Sequence, residues 1–301
     1  MASTEQVGQR ALALFPPIDR MMLTFLAFLA MVAVIYDPHP WPVVGLLGSM
    51  ALSVLAAAAW GSRAEVGRVV HAFLPLPIVI TIFNLAGPLI GAANPARWDG
   101  FMANADVVLF GPLVPAWRHL LGRPAWLTDA ASIAYVSYYF IPFAMCIVLW
   151  RQGRRREFDD FAMALIATLL VSYIGYFLFP TSGPRVPHAL ETEVLGGGPI
   201  SAAVREFVRN AEVNQLDAFP SGHTALSLVF LGYGWKLFPR RWVRIPLLLT
   251  VIGIVFATVY LSWHYAIDLV AGAAQAALMP TILRGVRRVF GTGGVGEPDA
   301  A

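Results

Sequence analysis

The sequence predicts an all-α integral membrane protein with about eight transmembrane helices, and three observations carry that prediction. Of 301 residues, 58% are hydrophobic and only 13% are charged, about half the charged share of an ordinary soluble domain. The apolar residues come in blocks of about 20, the length a helix needs to cross the hydrocarbon layer. Short arginine-rich linkers separate several of these blocks.

The expected spans cover residues 21–36, 42–60, 69–92, 129–150, 160–179, 219–238, 243–262 and 263–283. After the first, Tyr36-Asp37-Pro38-His39-Pro40-Trp41 reads as a tight interfacial turn. Arg10, Arg20, the linkers at 63–68, 151–156 and 239–244, Lys236 and the 284–288 stretch hold 15 of the 21 Lys and Arg residues. The other six, Arg97, Arg118, Arg123, Arg185, Arg205 and Arg209, fall in the alternating loops. The positive-inside rule therefore predicts cytoplasmic termini and basic linkers, and an even span count agrees. No cleavable signal peptide is expected, because the first apolar block runs on into further spans. The net charge of +3 is too small to imply a nucleic-acid partner, and the single Cys146, inside an apolar block, allows no disulfide framework.

Two long loops are expected on the non-cytoplasmic face. Residues 93–128 carry Trp98, Phe101, Val107, Leu109, Phe110, Leu113, Trp117 and Leu121, a pattern suited to a helix lying in the interface. Residues 180–218 contain a Gly196-Gly197-Gly198-Pro199 break and then apolar residues at helical spacing up to Val213. Loops this long are usually functional or disordered, and their apolar content favours function.

Ionisable groups inside spans are costly and mark function by default. Of six histidines, His71 falls at a cytoplasmic span start, where an interfacial role is expected, and His39, His119 and His188 fall in outer loops. His223 and His264 differ, since both fall where a span starts on the outer face. Phe219-Pro220-Ser221-Gly222-His223-Thr224 opens the sixth span, with Pro220 suited to a first helical turn. The N–H groups of Ser221, Gly222 and His223 would then face outward as an anion site. Ser221 adds a hydroxyl donor, and Gly222 leaves room for close approach. Taken alone, the hexapeptide reads equally well as an ordinary helix cap. His264 and Asp268 stand four apart on the eighth span and should share a face. There they form either a base with its orienting carboxylate or a polar pair that glues helices. Convergence of both motifs at one membrane depth favours chemistry. Arg185, after Phe179-Pro180-Thr181-Ser182-Gly183-Pro184, emerges on the same face with a planar fork suited to phosphate oxygens.

Pro220-Ser221-Gly222-His223 followed by His264-Tyr265-Ala266-Ile267-Asp268 resembles the type 2 phosphatidic acid phosphatase superfamily. More narrowly the chain is similar to the branch of inositol phosphorylceramide synthase and the sphingomyelin synthases. Thr258-Val259-Tyr260-Leu261 before Ser262-Trp263-His264-Tyr265, Asp106-Val107-Val108-Leu109-Phe110-Gly111 and the Tyr135-x-x-Tyr138 pair carry that likeness. It covers roughly residues 70–285. The resemblance implies a six-helix phosphatase-type catalytic core, set at 69–290; from the sequence itself, 1–68 is expected to hold a tail and two accessory helices, and 291–301 a disordered tail. It implies that His264 attacks phosphorus, Asp268 orients it, and His223 protonates the leaving alkoxide and then deprotonates the acceptor. Arg185, Ser221 and the backbone near Gly222 would hold the phosphate oxygens. No metal or other cofactor is required. The implied partners are a phospholipid or lipid phosphate, a lipid alcohol acceptor and the bilayer, with a bacterial inner membrane as the expected location.

Two departures matter. Thr258 stands where phosphatase members carry an arginine six residues before the second histidine, and Gly183-Pro184-Arg185 takes the place of their first, Lys- and Arg-containing motif. Fewer cations suit a phosphodiester monoanion better than a phosphomonoester dianion, so head-group transfer is expected, with lipid phosphate hydrolysis as the alternative. A transporter would place its charged groups nearer the midplane, and a His–His–Asp metal site would make turnover sensitive to chelators.

Overall fold

The computed structural model describes residues 15–122, 124–184 and 197–291, and among these every regular element is a helix. In chain order they are α1 (Pro17–Tyr36), α2 (Trp41–Gly61), α3 (Glu65–Phe73), α4 (Pro75–Ala93), α5 (Asp99–Phe110) and α6 (Leu113–Leu121). There follow α7 (Ala125–Arg151), α8 (Arg155–Leu178), α9 (Pro199–Ala211), α10 (Gly222–Leu237), α11 (Arg241–Tyr260) and α12 (Ala266–Phe290).

Seven segments are long and apolar enough to cross a bilayer: α1, α2, α3 with α4 as one 29-residue unit, α7, α8, α11 and α12. The break between α3 and α4 falls at Pro75, which has no N–H to continue the ladder, yet Leu74 keeps helical dihedrals. The expected sixth span is shorter than the sequence suggested. Its helix, α10, has 16 residues, about 24 Å, because Phe219-Pro220-Ser221 is spent on a turn and cap rather than on the helix. Conversely the eighth span starts later and runs on to Phe290, giving 25 residues.

Large apolar side chains point outward along the spans, among them Leu52, Ile80, Phe140, Leu249, Ile252 and Leu278. In water such a surface would aggregate; against lipid it is the natural outer wall. The interior is joined by polar contacts typical of helices packed in an apolar solvent. Gln275 of α12 donates to the Thr168 carbonyl of α8 at 2.7 Å, and Ser172 Oγ meets Gln275 Oε1 at 3.1 Å. Tyr173 donates to the Val79 carbonyl at 2.9 Å. α1 is seated in the core, its Met22 and Leu29 wholly buried in one cluster with Ile82, Ile90, Ile166 and Met279. At the end of the bundle where the basic linkers lie, His71 Nε2 meets Asp19 Oδ2 at 2.7 Å.

The first of the two long loops forms two short helices, α5 and α6, and the second contributes α9. All three lie at the end of the bundle opposite the basic linkers. Close approach of α10 and α12 there depends on Gly272, where an added Cβ would come within 2.5 Å of the Ser221 carbonyl oxygen. Gly272→Ala should therefore force these helices apart, at a cost of about 1–3 kcal/mol by the usual scale of overpacking. The expected result is a lower thermal midpoint of the purified protein together with a loss of turnover; an unchanged midpoint would refute the contact.

Candidate active site

His264 is set by the turn between α11 and α12. The Thr258 carbonyl accepts from the N–H groups of both Trp263, at 2.9 Å, and His264, at 3.0 Å. The turn passes through Ser262 at φ 62°, a left-handed conformation that costs a non-glycine residue roughly 1–2 kcal/mol. The Thr258 side chain does not face the site; its hydroxyl is buried and donates to the Val255 carbonyl at 2.8 Å. Its backbone, not its side chain, serves the turn.

The four-residue spacing of His264 and Asp268 works differently from the sequence expectation. His264 precedes the helix, and Tyr265 is the N-cap of α12. Asp268 reaches back as a capping residue: Oδ2 accepts the Tyr265 N–H at 2.9 Å and lies 3.3 Å from His264 Nδ1. The pair therefore meets through cap geometry rather than as two positions on one helical face. His264 Nδ1 also lies 2.9 Å from the Ala218 carbonyl oxygen. A carbonyl only accepts, so Nδ1 carries the hydrogen. In the neutral ring the lone pair is then on Nε2. Both side chains are closed off from solvent, with Asp268 fully buried and its Oδ1 without a hydrogen-bond partner among the described residues.

His223 is the second residue of α10. The helix starts later than expected: Pro220, joined to Phe219 by a cis peptide, lies outside it, and Ser221 is the N-cap. Ser221 Oγ accepts from the Thr224 N–H at 3.2 Å, and the Ser221 N–H donates to the Asp268 carbonyl at 3.0 Å. The Ser221 N–H is thus not available to a ligand, and the end of α10 is tied to the start of α12 instead. Gly222 and His223 are the first helical residues, whose N–H groups have no intrahelical acceptor. The packing at 222 is close, since a Cβ would come within 2.7 Å of the Tyr176 hydroxyl and one of the two would have to shift.

The two imidazoles face each other with centroids 5.7 Å apart and planes at 65°. The His223 ring lies on Tyr135 and Tyr138, at 4.5 and 4.2 Å. Its Nε2 is 3.8 Å from Glu212 Oε1, and both side chains are less than a tenth exposed. Tyr139 donates to the same Glu212 oxygen. Glu212 follows α9 and is held from α4: Asn84 Nδ2 donates to the Ala211 carbonyl at 2.9 Å, and Asn84 Oδ1 accepts from the Val213 N–H at 3.0 Å. Sequence reasoning missed Glu212, because a single acid at the end of an amphipathic loop segment has no spacing that aims it at a histidine 11 residues on.

Two carboxylates of α5 complete the frame. Asp99 Oδ1 accepts the N–H groups of Ser182 and Gly183 at 2.9 and 3.0 Å. Gly183, at φ 76°, passes so close to the Trp263 carbonyl that a Cβ would lie 2.5 Å from its oxygen. Asp106 Oδ1 accepts the Ile267 N–H at 2.8 Å, in the first turn of α12. Burial pushes the Asp106 carboxyl above the usual carboxylate range, and the N–H groups of Ile267 and Ala266 pull it back. Beside this frame opens a cavity of about 480 Å³ lined by Gly87, Pro88, Arg97, Asp99, Ser182 and Gln215. Arg185 lies outside the described residues, as does His188. His71 sits at the opposite end of the bundle, and His119 is exposed on α6, so neither joins the cluster. Among the described residues no group of three or more His, Cys, Asp and Glu side chains is arranged to hold a metal ion.

A protein-family model described as the PAP2 superfamily matches residues 101–282. A PA-phosphatase related-family protein of Dictyostelium discoideum is 26% identical over 209 residues, which is 58% of this chain and 38% of that protein. A phosphoinositol dihydroceramide synthase of Bacteroides thetaiotaomicron is 24% identical over 161 residues, covering 49% of this chain and 52% of the relative. A lipid A 4'-phosphatase of the same organism is 28% identical over 183 residues, covering 58% and 72%. The chain thus spans about two fifths to a half of the length of the first two relatives. No solved structure matches.

Proposed function

Because this chain belongs to the PAP2 superfamily, we propose that it transfers a phosphate-linked head group between lipids through a phospho-histidine at His264. The observation that carries the reading is the Ala218 carbonyl at 2.9 Å from His264 Nδ1, which leaves Nε2 as the nucleophilic nitrogen. Asp268 supports the imidazolium that develops as the N–P bond forms. His223, one ring away, protonates the departing alkoxide and then takes the proton of the incoming hydroxyl. Glu212 beside His223 stabilises its charged form between those steps. The N–H groups of Gly222 and His223 and the Arg185 guanidinium hold the non-bridging oxygens.

Charge supports one ester type over the other. Glu212, Asp268, Asp99 and Asp106 all lie within the frame of the site, and the described arginine beside it is Arg97. A dianionic phosphomonoester would meet more repulsion there than a monoanionic diester, which favours transfer from a phosphodiester lipid. Hydrolysis of a lipid phosphomonoester is the second reading, supported by the 28% identity to a lipid A 4'-phosphatase. Residues 69–290 form the catalytic core in this reading. The basic linkers face the cytoplasm, and the site opens on the other side at the level of the lipid head groups.

Purified protein in vesicles, given phosphodiester lipids labelled in the head group together with a lipid alcohol, is expected to move label onto the alcohol. Phosphate release from lipid phosphomonoesters, with no transfer, would establish the hydrolase instead. Failure on every phosphate ester would overturn both.

A further inference from the structure

We infer that α5 is an interfacial strap: Asp99 and Asp106 on one face position the backbone that carries His264, while the opposite face is seated in the surface of the bilayer. The inference rests on the reading of His264 as the reacting group and adds a way in which the membrane governs that group.

Asp99 and Asp106 are seven residues apart, within about 20° of one stripe on a helix. Met102 lies on the same side and is the buried residue of α5, 2% exposed. Phe101 and Val108 fall on the opposite side, about 180–200° away, and are 60% and 83% exposed, with Val107 and Leu109 flanking them. A helix in water presents its carboxylates outward and its apolar stripe inward. This helix does the reverse, so its outward medium is apolar. Leu120, Leu121 and Trp126 extend the exposed apolar band at the same end of the bundle, with Trp126 of the type that settles at the membrane–water boundary.

The inward carboxylates touch neither histidine. Asp106 takes the Ile267 N–H, in the first turn of α12 between His264 and Asp268 in the chain. Asp99 takes the N–H groups of Ser182 and Gly183, and Gly183 abuts the Trp263 carbonyl. Both are positioning residues that act through backbone on either side of His264. Met102 is the one fully buried side chain of α5, Asp99, Ala103, Ala105 and Asp106 are partly covered, and the exposed apolar side leaves the rest of its anchorage to the bilayer.

The experiment combines two inward variants of Asp106 with outward variants of Val108 and Phe101, all in lipid nanodiscs. Asp106→Ala should lower kcat about 10- to 100-fold with KM within threefold. Asp106→Asn should stay within threefold of wild type, because its amide oxygen still accepts the Ile267 N–H. Val108→Asp, or Phe101→Ser if the first fails to insert, should lower kcat about tenfold. Combined with Asp106→Ala it should add less than twofold, since the strap is already released. Hydrogen exchange gives a readout independent of turnover: the amides of residues 263–270 should exchange faster in Asp106→Ala and Val108→Asp but not in Asp106→Asn. Asn as damaging as Ala, losses that multiply in the double variant, or unchanged exchange in both would each overturn the strap. A wild type inactive on every phosphate ester, with the exchange pattern as described, would refute the functional reading and leave the strap standing.

Discussion

Substituting His264 with alanine is expected to lower kcat by about 10,000-fold or more, the scale set by removal of a covalent nucleophile, without unfolding the protein. The residue is 4% exposed, but its removal leaves the Ala218 carbonyl the option of water, and α10 stays tied to α12 through Ser221 N–H and the Asp268 carbonyl. The chemistry is separable from the fold by trapping. Wild type quenched during turnover of a phosphate-labelled donor should carry acid-labile, base-stable label on histidine. His223→Ala should accumulate that label when transfer to the acceptor is slowed more than release of the first product, and His264→Ala should carry none. Label retained in His264→Ala would move the nucleophile to another residue and overturn the assignment.

Asp268→Asn is expected to cost about 100-fold in kcat, well short of the loss of about 10,000-fold seen where an Asp alone fixes the tautomer of a catalytic histidine. The difference follows from Ala218. Its carbonyl accepts from His264 Nδ1–H alongside the carboxylate, and at the shorter distance, so the proton stays on Nδ1 when Asp268 becomes an amide. The amide oxygen can still accept from Tyr265 N–H and Nδ1–H; what is lost is the charge that supports the imidazolium. Asp268→Ala removes the helix cap as well, leaving the Tyr265 N–H without its partner, at a cost of about 1 kcal/mol. Its kcat should fall further and its thermal midpoint should drop, whereas the midpoint of Asp268→Asn should barely move. A loss of about 10,000-fold in Asp268→Asn would mean that the carboxylate alone sets the tautomer.

Much of the bundle was legible because its signals are local. A bilayer asks for about 20 apolar residues per span, and seven segments that meet this requirement overlap seven of the expected spans. The exception is instructive: the apolar stretch from 219 to 238 contains only a 16-residue helix, since its first residues serve as the cap that joins α10 to α12. Hydrophobicity does not distinguish a helical residue from a buried capping residue. The apolar and aromatic content of 93–128 was legible in composition, but its division into α5 and α6, and the inward turn of Asp99 and Asp106, were not.

The amino-acid sequence by itself determined that this protein crosses a membrane many times, that its basic linkers alternate with its long loops, and that His223, His264 and Asp268 belong to one end of it. Those properties follow from composition, charge order and spacing, each of which is read along the chain. Only the tertiary structure decided which nitrogen of His264 is free, because that depends on the Ala218 carbonyl, 46 residues away. It also decided that Glu212 stands against His223 and that Asp106 of α5 accepts the Ile267 N–H at the start of α12. A hydrogen bond between distant segments depends on where the packed helices leave each backbone group, and no period in the sequence encodes that.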